Sequence, residues 1–172
     1  TDSVSYAGHP SKVTVNLGVS RQSNGTAGTD SLESIECVIG GNGNDVLTGN
    51  GAGNRLLGGP GADSLSGGGG NDTLDGGAGR DTLAGGAGAD AFHLGGGGAD
   101  RLVDFTSGSD RIVLAPAAFA ALGPTVTAGE LRFGSAAQDG NDRLIYDQTT
   151  GRLSYDADAD GAGAAVLIAT LG

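Results

Sequence analysis

Apolar and polar residues alternate at both ends of the chain but not in its middle. Residues 3–6 (SVSY) and 12–17 (KVTVNL) alternate strictly, which predicts strands. Residues 31–39 (SLESIECVI) form a third strand-like segment, and 143–156 (RLIYDQTTGRLSYD) read as a hairpin turning at 148–151. One short helix is expected over 115–123 (APAAFAALG). Between these flanks the large apolar residues thin to one in nine. Leu47, Leu56, Leu65, Leu74, Leu83 and Phe92 keep that spacing, and Leu102 follows after a one-residue slip at Leu94.

A fixed period of this kind is a repeat, and it takes precedence over any local reading. In ninefold register the chain reads GGNGNDVLT (40–48), GNGAGNRLL (49–57), GGPGADSLS (58–66), GGGGNDTLD (67–75), GGAGRDTLA (76–84) and GGAGADAFH (85–93). GGGGADRLV (95–103) follows the slip, GSDRIV (108–113) ends a degenerate eighth copy, and GTAGTDSLE (25–33) is a worn one. Position six of the seven full copies is Asp45, Asn54, Asp63, Asp72, Asp81, Asp90 and Asp100. The chain therefore repeats carboxylates at the same interval as its apolar residues.

Composition sharpens this picture. Glycine contributes 36 of 172 residues, and 20 acidic against 9 basic residues give a formal charge of -11. Lys12 is the only lysine, so the clustered basic side chains that bind nucleic acid are missing. No apolar run approaches the length of a membrane helix. Cys37 is the only cysteine, which excludes an intrachain disulfide, and beside Val38 and Ile39 it reads as a small buried apolar residue. The chain opens at Thr1 without the features of a signal peptide, as a piece of a longer protein would. Adjacent coils of a stacked sheet lie about 4.8 Å apart. Two carboxylates at that distance repel by about 3 kcal/mol at an effective dielectric near 20. A divalent, oxygen-seeking cation removes that repulsion and turns it into a cross-link. Glycines at the turns let the backbone adopt positive φ and aim carbonyls at one point.

These residues match the nonapeptide GGxGxDxUx, and residues 40 to 113 resemble the repeats-in-toxin (RTX), haemolysin-type calcium-binding family. The resemblance implies an all-β fold, a parallel β-roll in which six residues of each repeat turn, three form a strand, and two repeats complete one coil. It implies N- and C-terminal β caps: a leader at 1–39, the roll at 40–113, and a cap with a secretion-signal region at 114–172. It also implies calcium as the cofactor, several ions, about four to seven, each held by six to eight oxygens. In proteins of this family one turn gives carbonyls two and four with its Asp, and the turn eighteen residues on gives carbonyls one and three with its Asp.

Carried onto this chain, Gly41, Gly43 and Asp45 would face Gly58, Pro60 and Asp63, while Gly59, Gly61 and Asp63 would face Gly76, Ala78 and Asp81. On the opposite edge Gly68, Gly70 and Asp72 would face Gly85, Ala87 and Asp90. Gly77, Gly79 and Asp81 would meet Gly95, Gly97 and Asp100 across the slip. The second repeat departs from the pattern: Asn50, Ala52 and Asn54, completed by Gly67, Gly69 and Asp72, make a site one charge poorer. Asp104 and Asp110 would hold a last ion.

The chain has no HExxH, GxSxG, P-loop or zinc-spaced Cys/His cluster, so no catalytic residue is assigned, and a catalytic domain, if the longer protein has one, is expected upstream. DADADG (156–161) imitates an EF-hand start, but Leu167 stands at the twelfth position. The resemblance implies a secreted or cell-surface module that folds on meeting calcium outside the cell and uses type I secretion machinery. Two alternatives stay open at this point. One is a polysaccharide-binding module of a secreted alginate epimerase, and the other a structural segment of an adhesin or surface-layer protein.

Overall fold

A computed structural model describes residues 2–19, 22–23, 29–30, 32, 34–95, 97–122, 131–137, 142–158 and 165–172. Most of the worn copy at 25–33 and the end of the 156–161 loop lie outside them. The described residues form strands and turns, with no helix.

The leader contributes β1 (Asp2–Ser5), β2 (Thr14–Asn16), the short antiparallel pair β3 (Gln22–Ser23) and β4 (Thr29–Asp30), and β5 (Ile35–Ile39). The repeats supply β6 (Val46–Thr48), β7 (Arg55–Pro60), β8 (Ser64–Gly69), β9 (Thr73–Ala78), β10 (Thr82–Ala87), β11 (Ala91–Leu94) and β12 (Asp100–Leu102). β13 (Arg111–Leu114), β14 (Leu131–Phe133), β15 (Leu144–Asp147), β16 (Arg152–Tyr155) and β17 (Val166–Leu171) follow.

Successive repeat strands do not pair with each other. Each pairs in parallel with the strand two repeats away, as in Leu47↔Leu65↔Leu83 on one side and Val38↔Leu56↔Leu74↔Phe92 on the other. Two repeats thus complete one coil, and two sheets face each other. The first runs β1-β5-β7-β9-β11-β13, the second β14-β15-β16-β17-β12-β10-β8-β6-β2. Position eight of every repeat points between the sheets. Leu47, Leu56, Leu65, Leu74, Leu83, Phe92 and Leu102 are at most 1 % exposed and form one continuous core with Val15 and Val38. One apolar residue in nine suffices because it stacks on its equivalents above and below, which no single repeat could offer.

The one-residue slip is absorbed without loss of register. Leu94 joins Phe92 on the inner face of β11, and Leu83 pairs with Leu102 nineteen residues on. Three sequence expectations need adjustment. Residues 115–122 make turns instead of a helix, with Phe119 N–H on the Ala115 carbonyl at 3.2 Å. So short a segment gains little from helix propagation, and its turns instead seat Phe119 edge-on against Tyr155 at 5.1 Å. Cys37 is not a core residue: Val38 takes the inner position, and alternation puts Cys37 on the outer face between Ser3 and Arg55. The strands expected at 12–17 and 31–39 shrink to β2 and β5. The 143–156 hairpin forms as read, with Leu144 opposite Tyr155.

Candidate metal centres

The aspartates at position six close each turn and lie buried along the two edges of the roll. Asp45, Asp63, Asp72, Asp81 and Asp90 are at most 3 % exposed, Asp100 is 4 % exposed, and Asn54 stands in the same row. Hydrogen bonds chain them in series. The N–H of Asp45 donates to Asp63 Oδ1 at 2.7 Å, that of Asp63 to Asp81 Oδ1 at 2.8 Å, and that of Asp81 to Asp100 Oδ1 at 3.0 Å. The other edge runs Asn54 to Asp72, Asp72 to Asp90, and Asp90 to Asp110. Asp63, Asp72, Asp81, Asp90, Asp100 and Asp110 each spend one oxygen on holding the coil before in register, while the Asn54 oxygen accepts the Asn50 N–H of its own turn.

The second oxygen divides the aspartates into two groups. In Asp63, Asp72, Asp81 and Asp90, Oδ2 is buried with no hydrogen-bond partner. In Asp45 it accepts the Gly41 N–H at 2.6 Å, and in Asp110 it accepts the Thr106 N–H at 2.8 Å. Backbone conformation accounts for the difference at the N-terminal side. In the third to sixth repeats position two is a glycine at positive φ (Gly59 +105°, Gly68 +107°, Gly77 +94°, Gly86 +96°). Gly41 and Asn50 lack that conformation, and their N–H groups reach back to Asp45 and Asn54. Asn54 Nδ2 is itself a buried donor without an acceptor.

Carbonyl oxygens converge on the same spaces between coils. A Cβ built on Gly59, Gly77 or Gly86 would fall on the carbonyl oxygen of Gly41, Gly59 or Gly68 in the coil above. One on Gly61, Gly79 or Gly88 would meet that of Gly43, Gly61 or Gly70. Carbonyls at position one point the opposite way, those of Gly58, Gly67, Gly76 and Gly85 lying against the first glycines of the coil before. Carbonyls two and four of one turn and carbonyl one of the next therefore enter a common space, beside an orphaned carboxylate oxygen. Among the described residues no three His, Cys, Asp or Glu side chains gather into one group. What gathers is a pair of stacked aspartates with main-chain carbonyls, an all-oxygen donor set that suits calcium and not a soft metal.

Electrostatics agree with that chemistry. Burial pushes the Asp63 carboxyl up to about 6, with Asp81 and Asp45 adding repulsion, against a lowering hydrogen bond from the Asp45 main chain. Asp100 is pushed up to about 7, again chiefly by burial and then by Asp81 and Asp75. Asp72 and Asp81 are raised for the same leading reason. These groups resist ionisation unless a positive charge joins them.

Other sequence-assigned residues are placed less simply. Across the slip, Gly97 and Gly98 crowd Gly77 and Gly79, so this coil keeps the contact but shifts it by one residue. Gly51 and Gly69, both at position three, make no comparably close approach, whereas Gly49 and Gly53 of the second repeat crowd the carbonyls of Gly67 and Asn71. Asp104 and Asp110 act on the main chain: Asp104 accepts the N–H groups of Gly85 and Gly86, both at 2.9 Å, and Ser109 Oγ donates to the Gly88 carbonyl at 2.6 Å. Two helpers escaped the sequence reading. The Asn44 and Asn71 side chains accept the N–H groups of Ala62 and Ala89 eighteen residues on, at 2.9 and 3.0 Å. Their shared place just before the position-six Asp was the available signal.

Comparison with known proteins agrees with the pattern in the turns. The model of the RTX calcium-binding nonapeptide repeat (4 copies) matches residues 38–65, 57–92 and 66–102. No curated protein matches the chain. Among solved structures it is similar to the solution structure of the AlgE6R3 subunit from the Azotobacter vinelandii mannuronan C5-epimerase. The identity is 32%, over 76% of this chain and 72% of that one, with a TM-score of 0.46. Residues 38–102 therefore match the pattern of the RTX calcium-binding nonapeptide repeat.

Proposed function

We propose that this chain is a non-catalytic calcium-dependent folding module of a larger secreted protein, exported by type I machinery and ordered outside the cell. The observation that carries it is the row of buried, unpartnered Oδ2 atoms on Asp63, Asp72, Asp81 and Asp90. A buried carboxylate oxygen without a partner costs stability, and four in stacked register cost it cooperatively. Asp63 with Asp81 and Asp72 with Asp90, each joined by the position-two and position-four carbonyls described above, would hold the ions. Bound calcium would supply the positive charge that these pairs lack. The main chain's part is to aim its carbonyls, and the leucine ladder's part is to exclude water from the inner side of the aspartates.

Where calcium is scarce the same carboxylates would keep the chain unfolded and fit for threading through a channel, and millimolar calcium outside would fold it by mass action. The test is far-ultraviolet circular dichroism in chelator and then with calcium. The chain is expected to be largely disordered first and to gain β-structure cooperatively between about 10⁻⁴ and 10⁻³ M, the range of extracellular modules. A β spectrum unchanged by chelation would overturn the reading. Magnesium should substitute poorly, since it prefers octahedral sites and keeps its waters.

One observation favours a second reading, a polysaccharide-binding module. On the second sheet, exposed Arg101 and Arg152 flank Thr170 from the two adjacent strands, and Thr82 and Ser64 continue the row. Such a strip could take an acidic glycan chain. Calcium-loaded protein retarded by immobilised mannuronan, and released by Arg101→Ala with Arg152→Ala, would favour this reading; folding on calcium without glycan binding favours the first.

A further inference from the structure

Residues 8–16 (GHPSKVTVN) share a single glycine with the repeat pattern, yet they take a repeat's place in the roll. Val15 pairs with Leu47 as Leu47 pairs with Leu65, and Thr14 and Asn16 flank it in the same register. Val46 N–H donates to the Val13 carbonyl at 2.9 Å, as Ser64 N–H does to that of Asp45. Asn42 N–H donates to the His9 carbonyl at 2.7 Å, as Gly69 N–H does to that of Asn50 at 2.8 Å. By this register His9 stands at position two and Val13 at position six, where the later copies carry a carboxylate.

This coil is complete without a cation. Val13 is buried and brings no charge. Its N–H donates to Asp45 Oδ1 at 2.7 Å and the Gly41 N–H to Asp45 Oδ2, so the chain itself engages both oxygens of that carboxylate. A Cβ on Gly61 or Gly79 would meet a position-four carbonyl oxygen of the coil before, but one on Gly43 would meet the Lys12 main-chain nitrogen. An amide nitrogen offers a cation no lone pair. The turn after Asp45 follows suit, for Asn54 is neutral and accepts the Asn50 N–H at 2.8 Å.

Two properties change together after residue 57. Among the described residues from 2 to 57 no buried carboxylate oxygen lacks a partner, and Asn54 Nδ2 is the one buried side-chain atom that does. Four such carboxylate oxygens follow, on Asp63, Asp72, Asp81 and Asp90. Before the boundary Val13, Val15, Leu17 and Val38 are buried besides Leu47 and Leu56, whereas the repeats of 58–84 bury one leucine each. We propose that β1, β2, β5, β6 and β7 form a seed that is ordered without calcium, and that calcium orders only the coils added after it. The seed presents the edges of β6 and β7, to which β8 and β9 pair, so the first calcium-dependent coil joins an existing sheet. The later coils' need for calcium rests on the reading given above; the seed's independence of it does not.

The test is amide hydrogen exchange of the full chain, followed by nuclear magnetic resonance in chelator and then in calcium. In chelator the Val13, Gly41 and Val46 amides should exchange at least about tenfold more slowly than in an unfolded chain. The Thr82, Ala91 and Arg101 amides, which bond to the carbonyls of Asp63, Asp72 and Asp81, should exchange at unfolded rates until calcium is added. Asp45→Asn leaves one oxygen where two N–H groups arrive and should abolish the protection of Val13 and Gly41 in chelator. Leu83→Ala, within the later coils, should leave that protection unchanged. Unprotected Val13, Gly41 and Val46 in chelator would overturn the seed while the calcium reading stands, as would protection that survives Asp45→Asn or is lost in Leu83→Ala. Slow exchange of Thr82, Ala91 and Arg101 in chelator would overturn the calcium reading and this proposal together.

Discussion

The main-chain N–H of Asp63 donates to Oδ1 of Asp81 at 2.8 Å, and Oδ2 of that same Asp81 is buried with no partner. One carboxylate is thus divided: one oxygen sets the register of the coils, and the other is buried without a hydrogen-bond partner.

Removing an orphaned oxygen should matter more than removing an exposed one. Asp63→Ala should raise the calcium midpoint of folding several-fold, since each charged hydrogen-bonding group contributes about 1.5–3 kcal/mol. Asp2→Ala, on the exposed edge strand β1, should leave it unchanged. Asn54→Asp should lower the midpoint by restoring the missing charge. Calcium titrations of the three variants check this, and equal midpoints for Asp63→Ala and Asp2→Ala would refute the register.

Acid should partly replace calcium. In the folded chain the Asp63 and Asp100 carboxyls are raised to about 6 and about 7 from 3.8, so the folded state binds more protons than the unfolded one across that window. The penalty these groups impose is absent below about pH 4 and grows as pH rises through their folded values. Metal-free chain in chelated buffer should therefore gain β-structure as pH falls from about 7 towards 4. Circular dichroism against pH tests the sign; a loss of structure over that range would contradict it.

Two glycines should respond oppositely to alanine. Gly77 has φ +94°, and a Cβ there falls on the Gly59 carbonyl, whereas Gly51 has nothing within 4 Å of a built Cβ and no positive φ. Gly77→Ala should cost at least about 1–3 kcal/mol in saturating calcium, the range for backbone strain. Gly51→Ala should stay within about 0.5 kcal/mol of the parent. Thermal unfolding of both variants is the measurement.

Cutting the chain after Leu114 should leave the turn residues intact but open the roll. β17 pairs with β12 on one side and β16 on the other, and its loss bares the edge of β12 above Leu102. The truncated chain should need more calcium to fold, or aggregate through that edge. An unchanged calcium midpoint with no aggregation would show that the tail contributes nothing to the roll. Failed export of a passenger fused to the truncated chain would support the secretion reading independently.

What the sequence by itself determined is everything that repeats. Leu56 and Leu74 had to stack, and Asp63 had to sit over Asp45, because a ninefold period with two repeats per coil leaves each residue only its own equivalents as neighbours. Hydrogen bonds between residues eighteen apart follow from that period once two repeats complete a coil, which the family resemblance implied and the strand pairing shows. The tertiary structure decided what is local and aperiodic. Asp45 and Asp63 look alike in sequence, yet only Asp63 keeps a bare oxygen, because the φ at Gly41 differs from that at Gly59. Cys37 and Val38 are both apolar neighbours, and only pairing to Arg55 and Leu56 tells which faces the core. Residues 115–122 carry helical composition but are too few to hold a helix against the packing of Phe119 on Tyr155. The unequal lengths of the two sheets have no trace in the repeats at all. They arise where the tail strands add to β12 and not to β13, a choice made by side-chain packing between segments far apart in the chain.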